Sequence, residues 1–234
     1  MLAALAGVLS LLSAAAVCVG AQAQSPVKVA AQPARIKFSY DNPGVDPSQY
    51  WIEVDETGHA HYRSQPMVRR PDPDSAEMPA KPIDKDLALS AETVDFLFRA
   101  ARGRNFFAME CEGDTKGKVA FQGKKQLTYQ GADGSGACSY NWSRDEVIQR
   151  LSRVFEGISL TVETGGRLTM EHKHDMLALD HDLGALAIDF KEGRAAELGT
   201  IAGELESIAE DDSVMDRART RAARLLREPA RVIE

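Results

Sequence analysis

The chain has 234 residues, 44% of them apolar, and a net charge of −7. That is enough apolar material for one or two domains with a real core. An acidic chain with an isoelectric point near 5.3 offers no basic patch for a phosphate backbone, which excludes nonspecific nucleic-acid binding.

Residues 2–17 are an unbroken run of apolar and small side chains, and Ala21-Gln22-Ala23 follows as a small-x-small site. This pattern predicts a signal peptide over residues 1–23 and export to the periplasm or beyond the cell. The run is shorter than the roughly 20 residues of a membrane span, and no transmembrane span is expected after cleavage. Val17 before Cys18 is a poor fit to a lipoprotein signal. Cys111 and Cys138 then remain, and an even count in an exported chain predicts a disulfide.

Residues 24–34 read as a flexible leader, and 35–164 as an α+β sheet domain. Arg35 to Tyr40 alternates, with Ile36, Phe38 and Tyr40 on one face. Tyr50 to Arg63 is a hairpin turning at Asp55-Glu56-Thr57-Gly58. Ile52, Val54, Ala60 and Tyr62 face its core, and Trp51, Glu53, His59 and His61 point away. Half of the ten prolines fall in the loop at 64–86. Leu89 to Gly103 predicts a helix capped by Ser90, burying Val94, Leu97, Phe98 and Ala101.

Lys118 to Gln122 and Gln126 to Gln130 read as paired strands, with Val119 and Phe121 facing inward alongside Leu127 and Tyr129. Gly131 to Gly136 is a turn, and Ala137 to Trp142 a further strand. A long helix follows, with Ser143 as cap, Glu146 closing a capping box, and Trp142 stapled to Val147. Gly165-Gly166 is expected to break or kink it near Thr164. An all-helical section is expected over 165–228: one helix ending near Gly193, one through Leu198 to Ile208, and one after Asp211-Asp212-Ser213. Arg217, Arg219, Arg221, Arg224 and Arg227 mark its solvated face. The fold class expected is therefore α+β, an antiparallel sheet of about five strands with helices packed on one face, followed by helices alone.

Leu205, Ile208 and Ala209, then Asp211-Asp212, then Val214, Ala218 and Leu225 carry a resemblance of Glu197–Leu226 to a single HEAT-type helical hairpin. One such unit forms no solenoid, so the resemblance implies packing against the sheet or a partner and no activity. The stretch from Leu89 to Leu226 resembles uncharacterised exported bacterial proteins in layout. Leu89-Ser90-x-Glu92-Thr93-Val94, Val119-Ala120-Phe121, Leu127-Thr128-Tyr129 and Asp212-Ser213-Val214-Met215 carry that likeness.

Two groups of residues are candidates for metal chemistry. His59 and His61, at i and i+2 on one strand, share a side, with Glu53 or Asp55 opposite. Between Glu171 and Asp182, His174 and His181 share a helix side with Asp175 and Asp182 beside them, whereas His172 and His174 diverge. For both, ordinary polar surface is the plainer reading. No His-Glu-x-x-His pair, Gly-x-Ser-x-Gly elbow or phosphate loop occurs, and no catalytic residue or cofactor is expected. Two functions remain. The better supported is a non-enzymatic module of the periplasm or envelope that binds another protein. The alternative is a metal-dependent or hydrolytic enzyme using His59 and His61 or the Glu171–Asp182 cluster.

Overall fold

The computed structural model describes residues 32–67, 81–113 and 119–229. The expected signal peptide, most of the leader and the middle of the proline-rich loop lie outside the described residues. Six strands alternate as a half-buried sheet must: β1 (Arg35–Asp41), β2 (Gln49–Asp55), β3 (His59–Gln65), β4 (Asp84–Ala88), β5 (Lys124–Gly131) and β6 (Gly134–Tyr140). All neighbours are antiparallel, in the order β4-β3-β2-β1-β5-β6. The fold is α+β, with one sheet and a helical C-terminal part, as the pattern predicted. The sheet has six strands where about five were expected.

The additional strand is β4. It lies at the end of the stretch read as loop, and its sequence Asp-Lys-Asp-Leu-Ala carries one large apolar residue, Leu87, which is buried. Asp84 and Asp86 fit a strand because they meet Arg63 and His61 across the ladder. The strand predicted at 118–122 is corrected. Residues 119–123 precede β5 without strand structure, and Val119 and Phe121 are exposed. Side-chain bonds hold this segment instead: Asn141 accepts from the Gln122 amide and donates to the Ala120 carbonyl.

One face of the sheet is covered. α1 (Ala91–Gly103) and α2 (Glu146–His174) lie against Ile36, Phe38, Ile52, Val54, Tyr62, Leu127 and Tyr129, all fully buried. Ser90 caps α1 as expected. The cap of α2 is Asp145, not Ser143. Its carboxylate accepts from the Val147 and Ile148 amides, while Ser143 Oγ accepts from Asp145 itself. The chain turns once more before the helix because Glu112 accepts from the Asn141 and Trp142 amides, carrying Trp142 toward Gly113.

α2 continues through Gly165-Gly166 for 29 residues, so the boundary drawn at 164 falls inside a helix. A second apolar cluster begins at Leu168. α3 (Met176–Lys191), a 3₁₀ turn at Leu198–Ile201, α4 (Ala202–Glu210) and α5 (Asp216–Leu225) complete it. The two clusters share α2 and are tied by polar contacts. Buried Glu197 accepts from the Ser90 amide at 2.9 Å and from its hydroxyl at 2.6 Å, at the head of α1. Lys85 of β4 donates to Thr200 O and Glu204. Thr161 of α2 donates to Ala196 O.

Short, charged β4 forms one margin of the sheet and β6 the other. Over the core-facing side of β6 lies a turn at Asn105–Phe107 whose three residues all have left-handed φ of 51 to 67°. Gly136 admits it, since a Cβ there would lie 2.6 Å from Phe106 O and Ala108 N. Phe107 plugs into the core, and the Cys111–Cys138 disulfide fastens the segment to β6. That bond is compatible with an oxidising compartment. Among the described residues no helix is long and apolar enough to cross a membrane.

Candidate interaction surface

α3 starts where Asp175 ends α2. Asp175 accepts from the Leu177 and Ala178 amides, so one side chain caps the second helix and forces the bend. Leu179, Leu183, Leu186 and Phe190 recur at helical spacing and are buried against the rest of the second cluster. The opposite side of the same helix carries Leu177, Gly184 and Ile188. Leu177 is 72% exposed and Ile188 55%. A helix that serves only as a lid is polar on its outer side, whereas α3 exposes Leu177 and Ile188 there beside His181 and Lys191.

Beside this stripe lies a groove of about 770 Å³ between α3 and α5. Leu177, Gly184, Ala187 and Ile188 line one wall, and Arg217, Arg221 and Arg224 the other. Asp180, buried at the seam, fixes the arginines: Arg221 Nη1 donates to its Oδ1 at 2.5 Å and to its carbonyl at 2.9 Å, and Arg217 pairs with Oδ2 at 2.8 Å.

The residues proposed as metal ligands lie apart from this groove or are otherwise engaged. His59, His61 and Glu53 do share the open face of the sheet. His61 sits between Asp84 and Asp86, at 3.1 and 2.7 Å, and Glu53 pairs with Arg35 at 3.2 Å. His174 is exposed and Asp175 is a cap. His181 lines the groove and contacts Asp182 at 3.1 Å, while Asp182 pairs with Arg167 at 2.9 Å. Burial works against the charged form of Asp182, but the Arg167 bond prevails and lowers its pKa. At its neighbour Glu171 the Arg167 charge does not prevail. Burial, then the Asp182 charge, push the Glu171 carboxyl up to about 7. His172 turns away to Asp211 at 2.8 Å. Among the described residues, no three His, Cys, Asp or Glu are arranged to hold a metal ion.

Two arrangements were not foreseen from the sequence. On the open sheet face, Trp51 lies between Lys37, 4.5 Å from its ring centre, and the His61 ring at 5.1 Å. Under α2, Ser152, Glu156, Ser159 and Glu163 form a polar stripe at helical spacing that meets the sheet's tyrosines. Tyr140 bonds Ser152 at 2.7 Å, and Tyr62 bonds Ser159 at 2.9 Å and Glu163 at 2.7 Å. Lys125 approaches Glu156 at 3.6 Å. Burial raises the pKa of Glu156 and of Tyr50, Tyr62 and Tyr140, holding the phenols neutral. The spacing of 4, 3 and 4 was visible in the sequence, but the apolar stripe beside it hid its inward direction.

The chain matches no protein-family model and no curated protein sequence.

Proposed function

We propose that this chain is an exported, non-enzymatic interaction module of the bacterial periplasm or cell envelope, acting on another protein through α3 and the groove beside it. The observation that carries this reading is the second apolar side of α3. Leu177 and Ile188 stay in water although the helix already buries a full stripe, and exposed large apolar groups beside a groove mark contact surfaces. An N-terminal apolar segment and the Cys111–Cys138 bond support export. The alternative, a metal-dependent or hydrolytic enzyme, has less support, because His61, Glu53 and Asp182 are held in ion pairs.

A photo-crosslinking residue in place of Ile188, introduced in the intact cell, tests the reading. The expected result is a discrete crosslinked species that is lost when Leu177→Ser is added. A surface change of that kind costs at most about 0.5 kcal/mol of stability. The same probe at exposed Thr220 of α5, a residue outside the groove, is the control. No species specific to position 188 would remove the proposal.

A further inference from the structure

We infer that the α3–α5 groove accepts an acidic amphipathic helix of a second protein. The inference rests on the preceding reading that this surface makes protein contacts, and it adds the chemistry of the partner.

Shape comes first. Leu177 and Ile188 are eleven positions apart, roughly 16 Å along the helix, or three turns. Gly184 lies between them and puts backbone, not side chain, at the middle of the wall. A Cβ there would touch the Arg221 guanidinium, 3.5 Å away, so that group lies beside the wall at Gly184. A facing helix can seat apolar side chains against Leu177 and Ile188 and present its polar flank to Arg221. This is helix-in-groove recognition, read by anchors three, four and seven residues apart.

Charge then selects the sign. The chain is acidic overall at −7, yet the groove is lined by Lys191, Arg217, Arg221 and Arg224 against only Asp180 and Glu228. Asp180 holds Arg217 and Arg221 with their guanidinium groups at the groove wall. Each guanidinium has five N–H donors, so donors remain for a visiting carboxylate. A basic wall on an acidic molecule favours an acidic ligand and repels a basic one.

A second copy of this chain fits less well. Two α3 helices paired antiparallel about a two-fold axis set like flanks against like. The arginine wall of one protomer would then face the arginine wall of the other. Self-association is therefore an outcome that counts against the inference.

The test uses the mature protein and a synthetic amphipathic peptide of about 16 residues, roughly four turns. Its leucines are spaced three and four apart, with glutamate on both flanks; a second peptide carries lysine at the glutamate positions. Fluorescence anisotropy of the labelled peptides should show the glutamate peptide binding in roughly the micromolar range. It should bind at least about tenfold more tightly than the lysine peptide, and more weakly as salt rises. The pair Lys191→Glu with Arg224→Glu, and separately Ile188→Ser, should each lose about tenfold or more in affinity, with melting temperature as the control for folding. Equal affinity for both peptides, or no binding of either, overturns the inference. So does binding only to phosphatidylglycerol vesicles, or a dimer by sedimentation. If the crosslink at position 188 persists while the glutamate peptide fails, the contact reading stands and the acidic helix falls. If both fail, both fall.

Discussion

At position 165 a methyl group would sit 2.4 Å from Cγ2 of Ile201 and 3.1 Å from its Cβ. Both are stiff, branched atoms that cannot swing aside. An exposed helical glycine changed to alanine gains about 1 kcal/mol from propensity, but overpacking here costs about 1–3 kcal/mol. The clash should therefore prevail, and Gly165→Ala should lower the urea midpoint. Adding Ile201→Ala removes the nearer contact, the Cγ2 at 2.4 Å, so the double variant should be more stable than the sum of the single effects predicts. Gly165-Gly166 was read from sequence as a break because glycine is poor in helices. It is a place where another element comes close, and spacing along one chain does not reveal what lies across from it. Glu197 is a second case. It is buried and accepts from Ser90, 107 residues away, a partner that no local spacing names. Glu197→Ala strands the buried donors of the α1 head and should cost about 2–4 kcal/mol by chemical denaturation.

The elements most legible in the sequence were those with local signals. The β2–β3 hairpin and α1 emerged with their faces correct, because alternation, a turn glycine and a serine cap are all short-range. The joint between α2 and α3 was less so, since Asp175 competed with a glycine pair ten residues earlier. That joint carries a pH response. Glu171, facing Asp182, Arg167 and Asp175, holds its proton up to about 7, against an ordinary value near 4.5. The folded state thus binds more protons than the unfolded chain in that interval, so this group's contribution to stability is lost as pH rises from about 4.5 through 7. Glu171→Gln should flatten the dependence of melting temperature over that range and raise it at the upper end. A slope that is unchanged in the variant would remove Glu171 as its source. The disulfide is an element-scale constraint of a different kind, closing 27 residues of sequence. In the chain-entropy model its loss costs about 3.5 kcal/mol, so Cys111→Ser with Cys138→Ser should show that drop in denaturant unfolding.

Across the whole molecule, two apolar clusters hang on one helix. Both tryptophans, Trp51 and Trp142, lie in the sheet half, whereas most helical residues after 164 lie in the other. Because α2 runs through both clusters and Glu197 and Lys85 tie them, unfolding should be a single transition. Tryptophan fluorescence and far-ultraviolet circular dichroism should then share one midpoint. Separate midpoints would mean that the C-terminal helices melt as their own unit. The class of fold was readable because alternating stretches surround a single helix up to about residue 142, and helical periodicity alone follows. The groove was not, since it needs α3 and α5 side by side, and residues 188 and 221 have no sequence relation that says so.

The cover over β6 has its own consequence. The turn lies over the inner side of this outer strand, and lifting it would bare apolar surface beside the sheet's edge, where a neighbouring molecule can continue the ladder. Chains made where thiols stay reduced lack the fastening that keeps the roof down. Such material should seed ordered aggregates that the oxidised form does not, which makes the timing of one sulfur–sulfur bond a determinant of whether molecules stay separate.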